Sequence, residues 1–140
     1  MKVDFTFFMA YTAGMRGVKA ALLAIITVFI FKLFFFDFMI AHGNSMEPAI
    51  KDGTVMIVNR LRYGFKLPWQ KSYFVVWAQP KLGEVVVFYT PDGELAVKRC
   101  SELTEWGSFN VKGDNVSTSF DSRSYGPVPL NNIIGKVLGY

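Results

Sequence analysis

Residues 20–40 are almost unbroken in apolar side chains, and that run constrains the fold more than any other feature of the chain. Coiled as a helix rising about 1.5 Å per residue, about 20 such residues match the hydrocarbon thickness of a bilayer. The run exceeds the roughly 7–15 residues of a cleavable leader's core, and Met39 before Ala41 breaks the small-x-small pattern of a cleavage point. It reads as one retained transmembrane helix, residues 20–41. Lys32 is placed to snorkel toward the outer interface, with Asp37 near or beyond it; the alternative is a shorter span ending at Lys32. Lys2, Arg16 and Lys19 flank the start, while Asp37 and Glu47 lie near the far end. Excess positive charge stays inside, so residues 1–19 are expected in the cytoplasm or its interface, and residues 42–140 outside. Residues 5–11 are apolar but too short to span, and are expected to lie in the interface.

Composition supports a change of solvent near His42. Nine of the 14 Phe residues precede it. The remaining roughly 100 residues suffice for one compact core. The net charge of +4 is spread without a basic, aromatic-interleaved stripe, which argues against nucleic-acid binding and fits contact with anionic lipid. One cysteine, Cys100, excludes an intramolecular disulfide, and one Cys with one His makes a structural zinc site untenable. Neither a metal nor a cofactor is expected.

Beyond Pro48 the pattern becomes short alternating runs bounded by Gly, Pro, Asn and Asp. Residues 55–58, 85–89, 95–98, 109–111 and 133–138 are predicted strands. Asp52-Gly53, Asp92-Gly93 and Trp106-Gly107-Ser108 are predicted turns, the second closing a tight hairpin. No sustained helical period follows the anchor. The expected fold class is mainly β, a compact β-strand domain on a single N-terminal transmembrane helix.

Three stretches carry chemistry. In Gly43-Asn44-Ser45-Met46-Glu47-Pro48 the serine stands where the backbone turns, with its hydroxyl available and its amide free; alone, it is equally a capping or turn serine. In Val97-Lys98-Arg99, a strand lysine beside Ala96 and Val97 can be desolvated, which lowers its pKa and makes it a base; alone, it is an ordinary surface lysine. The third, from Gly113-Asp114-Asn115 to Ser119-Phe120-Asp121-Ser122-Arg123, is dense in short polar side chains that satisfy tight backbone. Asp121 and Arg123 are spaced to pair.

Taken together and in this order, these motifs resemble signal peptidase I. Arg62-Tyr63-Gly64-Phe65-Lys66-Leu67-Pro68, Gly83-Glu84-Val85-Val86-Val87-Phe88 and Gly126-Pro127-Val128-Pro129 with the final strand resemble further stretches of that family, so the likeness covers the chain from His42 onward. The resemblance implies a serine endopeptidase with Ser45 as nucleophile and Lys98 as general base. It implies that Ser119 orients the lysine amine, that Asp121 and Arg123 form a bracing ion pair, and that Gly113, Asp114 and Asn115 form the supporting turn. Met46 and Val97, beside the pair, are candidates to line the pocket for a small substrate side chain. The implied partners are exported preproteins, cut after a small residue, and membrane lipid; the implied place is the bacterial cytoplasmic (inner) membrane.

The departures from the family are specific. Gly43 replaces a serine that helps stabilise the oxyanion in some members, leaving the Ser45 amide as the chief expected donor. The Gly-x-Pro-Gly-Asp stretch after Lys-Arg is missing, and the short connection at residues 100–111 leaves no room for the inserted β domain of larger relatives. Glu84 replaces the usual aspartate. A Ser/His assignment through His42 lacks a carboxylate motif, and Cys100 is expected to pack inward. Phe65, Trp69 and Trp77 are expected either against lipid or in the core. Competing functions are a single-substrate maturation peptidase of the pilin-processing type and an inactive membrane-tethered binding module.

Overall fold

The computed structural model describes residues 5–140 except Pro68, Lys71, Glu105 and Trp106, and leaves aside the side chains of residues 5–16 and 33–34. Lys2, the Arg16 side chain, Pro68 and Trp106, all used above, therefore lie outside the described residues.

The chain divides into two units, residues 1–33 and 34–140. The first is helical: α1 (Phe5–Phe35) runs for 31 residues, about 46 Å at the usual rise, and takes in residues 5–11, expected as a separate interfacial piece. Leu22, Leu23, Ile25, Ile26, Val28, Phe29, Ile30 and Phe31 are all exposed, so the helix is apolar around its circumference rather than along one stripe. Among the described residues, no helix is long and apolar enough to cross a membrane.

The second unit is mainly β. Its strands are β1 (Phe36–Ile40), β2 (Val55–Asn59), β3 (Gly64–Phe65), β4 (Val75–Val76), β5 (Val85–Tyr89), β6 (Leu95–Leu103), β7 (Ser108–Lys112), β8 (Val128–Pro129) and β9 (Ile133–Gly139), with a single helical turn, α2 (Ser122–Tyr125), between β7 and β8. Seven of them form one sheet in the order β1-β2-β9-β5-β6-β7-β8, while β3 and β4 pair as a separate ribbon. All pairings are antiparallel.

One expectation needs correction. Residues 36–40 were assigned to the anchor helix, but helix ends at Phe35 and these residues form β1. They pair with β2 from Phe36↔Asn59 to Ile40↔Val55. Asp37, awkward in a membrane span, has its Oδ2 3.2 Å from Arg60 Nη1 just beyond β2. Aromatic and branched residues suit a pleated strand as well as a lipid-facing helix, and here pairing with a distant segment decides the outcome.

The continuous apolar run of β5 has a clear cause. Val85 and Val87 enter one core cluster with Met46, Ile50, Met56, Val58 and Val137. Val86 and Phe88 enter another with Tyr63, Cys100, Phe109, Val111 and Ile133. As the central strand, β5 is covered on both faces and has no polar side to show. Cys100 is buried, as expected. Trp69 and Trp77 are exposed, which removes the core reading for both, while Phe65 stacks on Phe74 across the ribbon at 6.3 Å.

Under this core, Glu84 ties three segments together. It accepts from the Tyr63 hydroxyl at 2.8 Å, from Lys136 Nζ at 2.9 Å and from the Lys81 amide at 3.1 Å. Burial raises its pKa, but these bonds outweigh that and hold the carboxyl down to about 2. The position of β9 between β2 and β5 depends on Gly135, where a Cβ would collide with the Asn59 carbonyl. Gly135→Ala should force the two strands apart and cost about 1–3 kcal/mol, read as a lower urea midpoint with an unchanged slope.

Candidate active site

Ser45 lies in the loop between β1 and β2. Two buried side chains, Met46 and Ile50, seat that loop in the core, and the Ile50 amide closes a turn onto the Met46 carbonyl at 2.8 Å. The Asp52-Gly53 turn returns the chain, with the Gly53 amide bonded to the Ala41 carbonyl at 2.9 Å. Ser45 is thus held, half-buried, at the head of a packed turn.

Lys98 arrives from β6, opposite Val86 in register. Its Nζ is 2.6 Å from Ser45 Oγ, and the residue is only 6% exposed. As an ammonium it donates to the hydroxyl; once neutral, it can accept the hydroxyl's proton. Burial lowers its pKa below the ordinary 10.5, partly offset by the negative charge of Asp121.

The polar loop forms the third wall. Asp121 is fully buried and caps α2. Its Oδ2 accepts from the Gly113 amide at 2.9 Å, the Ser119 hydroxyl at 2.8 Å and Arg123 Nη2 at 2.8 Å; its Oδ1 accepts from Arg123 Nε at 2.8 Å. Burial alone would raise its pKa, but Arg123, the Gly113 amide and Ser119 together hold the carboxyl far below its usual range. Ser119 therefore gives its hydroxyl to Asp121, while the hydrogen-bond partner of the Lys98 amine is Ser45.

The Gly113-Asp114-Asn115 turn touches the serine loop directly. The Asn115 amide donates to the Ser45 carbonyl at 3.0 Å. A Cβ on Gly113 would run into both the Ser119 side chain and the Ser45 carbonyl, so only glycine allows the approach. Sequence reasoning missed the pair that fixes this turn: Arg99 grips Asp114 with Nε to Oδ1 at 2.8 Å and Nη2 to Oδ2 at 2.6 Å. Its only signal was that Arg99 adjoins Lys98 and Asp114 adjoins Gly113, in two motifs that have to meet.

Among the described residues the Ser45 backbone N–H makes no hydrogen bond, whereas the Gly43 amide is taken by Asp52 Oδ1 at 2.8 Å. His42 is exposed, with Nδ1 3.9 Å from Asp52 Oδ1. Beside Ser45 opens a cavity of about 210 Å³ walled mainly by apolar side chains. Met46 and Val97 line it, together with Met39, Ile50, Met56 and Leu95.

Here a β domain sets a serine hydroxyl 2.6 Å from the amine of a largely buried lysine. Comparison with known proteins places it further: residues 15–104 and 100–139 match the family described as signal peptidase, peptidase S26, and the chain belongs to that family. It is 31% identical over 115 residues to mitochondrial inner membrane protease subunit 1 of Xenopus tropicalis, covering 72% of this chain and 66% of that protein. It is 27% identical over 153 residues to signal peptidase I of Bacillus caldolyticus, covering 81% of this chain and 84% of that protein. A shorter match, 33% over 68 residues, links it to signal peptidase I of Haemophilus influenzae, of which it covers 20%.

The depressed Asp121 pKa has a consequence for stability. An unfolded Asp titrates near 3.8 and the folded carboxyl lower, so the contribution is complete above 3.8 and is lost as pH falls from there through the folded value. Urea midpoints measured against pH should drop below about pH 4 more steeply for the wild type than for Asp121→Asn, which lacks this titration.

Proposed function

We propose that Ser45 and Lys98 are the catalytic dyad of a membrane-anchored endopeptidase that removes signal peptides from exported preproteins after small residues. The observation that carries this reading is the 2.6 Å contact between Ser45 Oγ and the amine of Lys98, a residue only 6% exposed. Family membership supports the peptidase activity, and the names of the relatives support the substrate class.

Neutral Lys98 takes the Ser45 proton as Oγ attacks the scissile carbonyl, and the Ser45 amide stabilises the oxyanion. The ammonium then protonates the leaving amine. Water attacks the resulting ester with Lys98 again as base. Asp121, Arg123 and Ser119 brace the loop facing the lysine; Gly113, Asp114 and Asn115 hold the serine loop through the Ser45 carbonyl.

Substrate binding follows from strand edges. β1 is an outer strand of the sheet, and β6 pairs with β7 only from Arg99 onward, which leaves one side of its first four residues open. An extended peptide adding to these edges sets the side chain before the scissile bond in the cavity lined by Met46 and Val97. The apolar circumference of α1 supports its reading as the anchor, with the sheet domain outside the cytoplasmic membrane.

Purified protein in liposomes should cleave a secretory precursor, and Ser45→Ala or Lys98→Ala should lower the rate at least about 10³-fold. Equal cleavage by all three would refute the dyad, and cleavage of one dedicated precursor alone would favour a specialised maturation peptidase. The pH profile gives a second check. Because Lys98 must be neutral, kcat/KM should rise with pH along a limb centred below 10.5. Asp121→Asn removes a charge that favours the ammonium, so this limb should move to lower pH.

A further inference from the structure

A second cavity, of about 530 Å³, adjoins the pocket beside Ser45, and Met39 and Leu95 line both. Along β1, Asp37 and Met39 face the larger cavity, and Met39 through Gly43 the smaller. Along the hairpin, Gly93 and Leu95 face the larger, and Leu95 and Val97 the smaller. Both strands thus lead from the large cavity, past the small one, to the dyad. A peptide whose scissile residue fills the small pocket and whose upstream chain follows β1 passes over the large cavity.

The charge on its wall is uneven. Asp37 is committed to Arg60 at 3.2 Å. Lys66 is 8% exposed, bonds through Nζ to the Ile133 carbonyl and lies 4.8 Å from the centre of the Tyr73 ring. Among the described residues it is paired with no carboxylate. An ammonium has three donors, and a buried one without a counter-ion is costly, so an incoming anion gains the pairing the protein leaves open. Arg60, on the same wall, adds a second positive charge against the single negative charge of Asp37.

Resting on the peptidase reading above, we infer that this cavity is a substrate subsite in which Lys66 receives an acidic side chain upstream of the cleaved bond. Asp37 lies six positions before Gly43, which puts the acidic residue about five to seven positions before the cut when the substrate runs extended alongside. The subsite selects among precursors through charge, while the pocket beside Ser45 takes the residue before the cut.

The test is a set of peptides with alanine before the cut and a single Glu, or Gln as control, at each of about four to eight positions upstream. In the wild-type protein, Glu should exceed Gln in kcat/KM by about fivefold at one position or two neighbouring ones, and Lys66→Met should bring that ratio to one. Dissociation constants of the same peptides with Ser45→Ala should show the same ratio without any cleavage. Equal Glu and Gln values at every position in the wild type would overturn the subsite, a result that does not depend on how well a Lys66 variant folds. A ratio that survives in folded Lys66→Met would overturn it too. If no peptide is cut but Ser45→Ala still prefers Glu, the peptidase reading fails and the subsite stands; cleavage with no Glu preference has the opposite meaning.

Discussion

The site is organised around one carboxylate that cannot reach water. A buried negative charge is tolerable only if its lone pairs are met, and Asp121 meets them with Arg123, Ser119 and the Gly113 amide. Each bond fixes a different piece of chain. Arg123 closes the loop on itself, Ser119 fills the space that forbids a side chain at residue 113, and the Gly113 amide fastens the end of β7. From that turn the Asn115 amide reaches the Ser45 carbonyl, so the serine loop and the acidic loop are one hydrogen-bonded body. The same charge acts on Lys98 and moderates the effect of its burial. Structural support and electrostatic tuning of the amine are inseparable here.

The amine itself is placed by ordinary sheet physics. β5 is buried on both faces and holds β6 in an unbroken register from Val85↔Arg99 to Tyr89↔Leu95, which brings Lys98 to its position. The dry environment that lowers its pKa is the same environment that packs Met46 and Ile50 under the serine.

Much of this was legible in the sequence, for reasons particular to each element. The hairpin of β5 and β6 follows from two runs of strand-forming residues about an Asp-Gly turn, and the final strand from a Val/Ile-rich stretch. Ser45 and Lys98 each look ordinary alone; their order among other motifs was what indicated a meeting. β1 was not legible, because Phe36-Asp37-Phe38-Met39-Ile40 suits the end of an apolar helix as well as a strand, and its partner lies about twenty residues away. The two-residue strands β3, β4 and β8 are too short to show a period. The Arg99–Asp114 pair escaped because both residues were read as members of their own motifs rather than as partners. Ser119, expected to orient the lysine amine, donates its hydroxyl to Asp121.

The pairing of Arg99 with Asp114 also bears on fidelity of assembly. Neighbouring residues on a strand face opposite ways, so a slip of one position along β6 would present a guanidinium to Ser45 in place of the amine. Arginine stays charged at any physiological pH and accepts no proton. Such a slipped sheet could look well folded and yet be chemically inert. By clasping Asp114 with two bonds, Arg99 makes the slipped register lose a bidentate ion pair at the moment it would move Lys98 away from Ser45. The residue beside the amine thus penalises misalignment of the strand, and the Lys-Arg dipeptide joins the Ser45 contact to a lock on its own placement.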